Sequence, residues 1–323
     1  MSGVDSRRRL VDQRGMVLVI VLWITTLLAV MAGGFAYSMR VESRLATGTV
    51  ERAQARALAE AGVAYALAWQ LDPDAQKQWP PNGDPHEWTF DGGRLRIEVV
   101  DASGLVNLND PNPDPLKGLL AGVGVAVGDQ ERLVAAIQDW RDVDDQPLPQ
   151  GAESAEYRAA GRAGPKDAPF ESTEELGQVL GVTRELYERL ANVTTAFSHQ
   201  SGVNPELAPA RVLHALGLDE RTVADYVEAR ARAAAADGSS TPSLPSNGGT
   251  FLFSSGRSSV YHIVVTAETE TGTTVVLEAV FDARGGGEVA VQGGGIAMQG
   301  GGIATQGAAA GQGPRLLAWR EGR

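Results

Sequence analysis

The sequence contains no cysteine. Disulfide staples, thiol catalysis and thiolate metal sites are therefore excluded. Basic residues are in deficit, 28 Lys and Arg against 40 Asp and Glu, for a formal charge of −12. Phosphate backbones are gripped by clustered cations, so an acidic chain points away from nucleic acid and toward cations or basic protein surfaces. Histidine is scarce: His86, His199, His214 and His262 stand far apart, without HExxH-like spacing. No G-x-S-x-G elbow or P-loop occurs. Nothing here assembles a catalytic constellation, and the chain reads as a non-enzyme.

Charge is also missing from residues 16–39, a run of 24 residues that follows a leader carrying Arg7, Arg8, Arg9 and Arg14. About 20 apolar residues cross a bilayer core, and the basic flank stays cytoplasmic. A secretory signal peptide, cut near Ala32-Gly33-Gly34, is the competing reading. Its apolar core is usually about 7–15 residues and ends in a turn. Here the pattern continues as helix. Val41, Leu45, Ala53, Ala57, Ala61, Ala64, Ala68 and Leu71 recur at helical spacing, with Arg40, Glu42, Arg44, Glu51, Arg52, Arg56 and Glu60 on the other faces. Asp72-Pro73 stops it. Residues 16–71 thus form one long helix, about 84 Å from end to end.

Downstream, 72–93 reads as a loop rich in Pro, Gly and Trp, and 94–99 alternates as a half-buried strand. Strands at 260–267 and 274–281 form a hairpin around Glu270-Thr271-Gly272. Between them, short helices are expected at 129–140, 172–180, 183–190, 209–216 and 219–236, followed by a Ser/Pro/Gly linker at 237–249. This is an α+β arrangement, with a helical domain inserted into a sheet. Near the end, Val291-Gln292-Gly293-Gly294-Gly295-Ile296-Ala297 is nearly repeated at 298–304, a Gly-rich loop, and 315–320 recovers strand character.

The densest acidic stretch is 139–157. Two prolines and Gly151 turn the chain so that Glu153 folds back toward Asp142, Asp144 and Asp145. Hard cations such as Ca²⁺ take carboxylate and carbonyl oxygens, although the spacing is not that of an EF-hand. A solvated acidic turn capping two helices is the alternative. The sequence leaves open which acids are direct ligands and whether Asp139 caps its helix instead.

Two segments echo each other, Gly104-Leu105-Val106-Asn107-Leu108-Asn109 and Ser201-Gly202-Val203-Asn204-Pro205-Glu206. Each precedes a Leu-rich helix and then a helix ending in arginine, Arg141 or Arg230. The pattern is similar to helix-hairpin-helix modules, with Val123-Gly124-Val125 and Leu216-Gly217-Leu218 as hairpins. A membrane-anchored DNA receptor is the sharp version of that reading. The other reading is structural, with the Asn side chains bonding turn backbone.

The basic leader, the glycine before the apolar run and the emerging amphipathic helix resemble a type IV pilin-like precursor. Mature pilins carry a fifth-position glutamate, where this chain has Ile20. That departure, with "GLVNLND", "QDWRDVDD", "APFESTEEL", "VLGVTRELYERL" and a terminal "WRE", resembles the minor pseudopilin K (GspK) family of the type II secretion system. The resemblance implies a pilin-like fold: cleaved leader 1–15, long helix 16–71, sheet region 72–103 and 250–323 with a Gly-rich loop at 285–313, and inserted α-domain 104–249. It implies prepilin peptidase cleavage between Gly15 and Met16 with methylation of the new terminus. It also implies calcium at Asp142, Asp144, Asp145 and Glu153, where Val143 replaces the family's usual proline. The implied setting is a single-pass inner-membrane protein with a periplasmic domain. Its implied partners are minor pseudopilins I and J in a tip complex that initiates the pseudopilus exporting folded proteins, with no nucleic acid.

Overall fold

The computed structural model describes residues 9–235, 244, 253, 255–284 and 313–322. The leader before residue 9, most of the 237–249 linker and the Gly-rich repeat lie outside the described residues. The chain divides into two units, Met1–Ala55 and Arg56–Arg323.

Helix α1 (Arg9–Leu71) supplies the whole described part of the first unit. Its side chains from Met16 to Val50 are all exposed, and Trp23 and Phe35 show 73% and 70% of their surface. Hydroxyls in this stretch turn back onto the helix. Thr25 and Thr26 donate to the Leu22 carbonyl, and Ser38 donates to that of Gly34. An apolar helix with its few polar groups satisfied internally is what a lipid phase tolerates. The helix is long and apolar enough to cross a membrane.

In the second unit, the last turns of α1 bury Leu58, Ala59, Val63 and Ala66. Gly62 lets helix and sheet approach closely, since a Cβ there would come within 2.7 Å of Val265 and 2.8 Å of Leu95. Asp72 then caps α2 (Pro73–Gln78), accepting the Asp74 amide at 2.9 Å. Strands β1 (His86–Phe90) and β2 (Gly93–Asp101) form a hairpin whose turn residues, Asp91 and Gly92, both have positive φ (47° and 75°). Leu95, Ile97 and Val99 of β2 are fully buried, while Arg94 and Arg96, alternating with them, are exposed. That alternation is the period-two pattern of a half-buried strand.

The chain then leaves the sheet. Strand β3 (Val106–Asn107), α3 (Asp114–Gly122), α4 (Val127–Asp139), α5 (Ser154–Ala159), a 3₁₀ segment (Thr173–Gln178), α6 (Arg184–Leu190), β4 (Thr194–Thr195), α7 (Ala210–Ala215) and α8 (Glu220–Ala235) follow. They enclose a core of their own that includes Leu119, Leu120, Ile137, Tyr157, Leu190 and Leu213. β3 and β4 make one short parallel ladder, so the inserted domain is helical but not wholly so. The sheet resumes with β5 (Val260–Glu268), β6 (Thr274–Asp282) and β7 (Arg315–Gly322), giving the antiparallel order β1-β2-β5-β6-β7. This is the expected pilin-like α+β arrangement. The outgoing and returning chain meet at Asp101, whose Oδ1 accepts from the Ser103 amide at 2.8 Å and from the Ser258 amide at 3.1 Å. On the sheet's far face, the Thr195 hydroxyl is hydrogen-bonded to His262 Nε2 at 2.9 Å while accepting the Phe197 amide, and Arg211 pairs with Glu98 at 3.3 Å.

The two echoing segments have a structural explanation. Asn107 accepts the Asn109 amide at 2.9 Å, and Asn204 accepts the Glu206 amide at 3.0 Å, so both make Asx turns. Arg141 donates to the carbonyls of Leu108 and Asp110, and Arg230 to those of Pro205 and Ala208. Both arginines are thus spent on backbone, although neither ends its helix as the sequence pattern suggested: Arg141 lies just past α4 and Arg230 within α8. The glycine hairpins at Gly124 and Gly217 (φ 82° and 87°) lead into helices whose first turns carry Asp129 and Glu220. Carboxylates at both helix N-termini are poor company for phosphates.

Candidate metal centre

The acidic stretch 139–157 runs off the C-terminus of α4 and returns as the N-terminus of α5. Asp139 closes α4 and is fully buried. A helix C-terminus is negative, so a carboxylate there needs compensation. Part of it comes from the loop: Asp139 accepts the Ala152 amide at 2.7 Å and the Leu148 amide at 3.3 Å. Gly151 permits this wrap, because a Cβ at that position would collide with Asp139 Oδ2.

The loop brings Asp139, Asp142 and Glu153 together, with one oxygen of each within 4.8 Å of the others. Glu153 is 1% exposed, and neither of its carboxylate oxygens has a hydrogen-bond partner. Asp142 Oδ1 is likewise buried and unpartnered. Burial, then the charges of Asp139 and Asp142, push the Glu153 carboxyl up to about 7. Burial followed by neighbouring acids raises Asp142 and, against two backbone donors, Asp139.

Of the four residues read as ligands from sequence, Asp142 and Glu153 converge and Asp139 joins them. Asp144 and Asp145 lie exposed at the rim. Asp144 accepts the Gln146 amide at 2.9 Å, and Asp145 accepts the Ser154 amide at 3.3 Å. The signal for Asp139 was present in the sequence as the first acid of the run, but a helix-terminal Asp is more often a cap than a ligand.

The residues fit a hard divalent cation. The donors are all oxygens, without His or Cys, which suits Ca²⁺ rather than Zn²⁺. Three converging carboxylates with orphaned buried oxygens are costly in an apolar interior unless protonated or neutralised by a cation. Arg141 offsets this only weakly: its charge favours ionised Asp142 without overcoming burial and the neighbouring acids, and its guanidinium is held on the Leu108 and Asp110 carbonyls.

Residues 98–199 match the protein-family model described as type II secretion system (T2SS), protein K. The chain is 32% identical to type II secretion system protein K of Klebsiella pneumoniae over 212 residues, 58% of this chain and 64% of that protein. It is also 32% identical to the Pseudomonas aeruginosa protein K over 160 residues, 44% of this chain and 46% of that one. A putative type II secretion system protein K of Escherichia coli is 28% identical over 204 residues, 55% and 61% of the two chains. The chain thus spans less than two thirds of the length of these relatives. Among solved structures, it superposes on a chain of the GspK-GspI-GspJ complex from the enterotoxigenic Escherichia coli type 2 secretion system. The TM-score is 0.56 over 85% of this chain and 98% of that one, at 14% identity. At that identity the likeness speaks to the fold.

Proposed function

Starting from a chain whose residues 98–199 match type II secretion system protein K, we propose that this protein is a minor pseudopilin of a type II secretion system. It works by assembly: it caps a periplasmic pseudopilus through a tip complex with minor pseudopilins I and J. The observation that carries this reading is the family match lying in a helical domain, itself set into a pilin-like sheet behind a helix of membrane length. Solved as a complex, the structural neighbour contains GspI and GspJ beside GspK, which motivates the choice of partners. Full-length protein extracted in mild detergent should co-purify with the I and J subunits of its own system in a stable ternary complex. Failure of both to associate overturns the assignment.

Processing follows the pilin route in this proposal. Prepilin peptidase cuts between Gly15 and Met16, the new terminus is methylated, and the basic leader keeps that end cytoplasmic while the second unit enters the periplasm. Ile20 leaves the mature fifth position without a carboxylate. An ionised acid in lipid is costly unless paired, so a subunit with no neighbour above it gains by lacking one. The domain divisions at 15, 71, 103 and 249 belong to the same reading.

The helical domain holds calcium through Asp139, Asp142 and Glu153, with Asp144 and Asp145 at the rim able to add oxygens or shape the approach. A bound cation supplies positive charge to a buried acidic pocket. The chain's own part is to preorganise it: Ala152 and Leu148 orient Asp139, Gly151 admits the turn, and the Glu156 carboxylate fixes the start of α5 by accepting the Glu153 amide at 3.0 Å. The pocket joins the end of α4 to the start of α5 and so braces the helical domain.

A further inference from the structure

The helical domain meets the far face of the sheet along a seam whose apolar part is small. Ala102, Val260 and Val280 are buried there with Phe197, Leu317 and Ala318 packed against them, and Val100 reaches the helical core. Pro209 against Gly83 extends the seam without charge. The helical domain keeps an extensive core of its own. Its helices therefore have apolar surface to bury against one another even off the sheet.

The rest of the seam is polar and centres on His262 of β5. The register sets this residue between Val100 of β2 and Val280 of β6, all on one face. From the helical domain, the Thr195 hydroxyl meets His262 Nε2 at 2.9 Å, and the Phe197 ring lies 6.1 Å from the imidazole between centroids. The charged groups on this face are already engaged. On the sheet side, Arg96 of β2 lies 3.5 Å from Glu98, and Arg320 of β7 lies 3.5 Å from Glu278 of β6. From the helical domain, Arg211 of α7 takes Glu98 at 3.3 Å, and Glu174 of the 3₁₀ segment pairs with Arg320. Each of these carboxylates faces an arginine, so a further cation at His262 gains no free anion.

Protonation also disturbs the hydrogen bonding. Whichever tautomer neutral His262 adopts, both ring nitrogens of an imidazolium are donors. Nε2 would then aim a proton at a hydroxyl whose oxygen already accepts the Phe197 amide at 3.0 Å. We infer that His262 is a proton-sensitive latch: protonating it lets the helical domain lift from the sheet as a folded unit, tethered at Asp101 where its two connections meet.

Burial, then the Arg211 charge, hold the docked His262 down at about 4, against an ordinary value of 6.5. Docking is therefore at full strength above pH 6.5 and weakens as pH falls toward 4. The loss is about ten-fold per pH unit and roughly 300-fold at most, trimmed by partial solvent contact. Every contact of the latch lies within one chain, so failure of the tip complex would leave it standing.

The absence of native cysteine makes a direct test possible. Single cysteines are placed in full-length protein in mild detergent: Val280→Cys on the seam, Ala279→Cys on the opposite face of the same strand, and Ala136→Cys in the helical core. Labelling by a dipyridyl disulfide, which reacts in acid, is scaled at each pH to that of the unfolded chain. As pH falls from 6.5 to 4, Val280→Cys should label about ten-fold faster or more than both other positions and lose protection about ten-fold per unit. His262→Gln should flatten that loss. Labelling at Val280→Cys no faster than at either control would mean that the seam opens only when the strand or the helical domain unfolds, and would overturn the inference. A profile flat with pH, or one that His262→Gln leaves unchanged, would overturn it equally. Should His262→Gln raise labelling at Ala136→Cys, the three positions compared in protein that retains His262 decide alone.

Discussion

Glu153 illustrates how one residue can be destabilising by itself and useful in context. Its oxygens are buried without a donor, so in chelator the ionised side chain works against folding. Glu153→Gln should therefore raise the melting temperature in chelator while removing the stabilisation by calcium. For the unsubstituted protein that stabilisation is about 2.7 kcal/mol when free calcium is 100-fold above Kd, readable as a melting shift by calorimetry. Identical melting with calcium and with chelator would reduce the cluster to a buried acidic turn. His262 makes the opposite kind of demand. Burial, then the Arg211 charge, lowers its pKa from 6.5 to about 4. The unfolded chain therefore binds a proton that the folded chain refuses, and stability present above pH 6.5 is lost as pH falls toward 4. The loss is ~3 kcal/mol at most, trimmed by residual solvent contact. His262→Gln keeps a partner for Thr195 and should flatten that part of the stability-versus-pH curve. An unchanged acid limb would contradict the assignment.

Among the elements, those with a clean period were legible from sequence. Strand β2 alternates, β5 and β6 flank a Gly turn, and α6 follows a capping Thr183 whose hydroxyl accepts the Leu186 amide at 3.2 Å. Strand β1 was not legible, because the 72–93 segment reads as a loop: the alternation His86-Glu87-Trp88-Thr89-Phe90 lasts only five residues and is flanked by Pro, Gly and Asp. Its strand character comes from pairing with β2 and from stacking on Tyr65, both tertiary. Helix α5 was hidden inside the acidic stretch, where carboxylate spacing outweighed a six-residue helical signal. The site was half legible for the same reason. Asp142 and Glu153 follow from loop closure, whereas the inward turn of Asp139 depends on amides nine and thirteen residues away. Element packing yields its own prediction. Gly62→Ala puts a methyl group between Val265 and Leu95 and should cost about 1–3 kcal/mol by overpacking, measurable by denaturant titration. A neutral result would mean that α1 shifts freely on the sheet.

At the scale of the molecule, the apolar surface is partitioned. The exposed run 16–39 belongs to the first unit, and the second has its own cores. A chain beginning at Arg56 should therefore be soluble and monodisperse without detergent, as sedimentation would show, whereas aggregation would mean that the second unit needs the rest of α1. Mass spectrometry of the membrane form should find Met16 at the amino terminus, and an intact Met1 in cells with active prepilin peptidase would contradict the processing route. One further property follows from Asp101, which receives amides from both sides of the interruption in the sheet. Because the chain departs and returns at a single carboxylate, the strands on either side feel the same boundary whatever lies between. Lengthening such a loop costs only ~0.6 kcal/mol per doubling. The helical domain is in this sense a graft on a closed wound: its length can change at little entropic cost so long as the contacts that seat it on the sheet, Thr195 on His262 and Arg211 on Glu98, are kept.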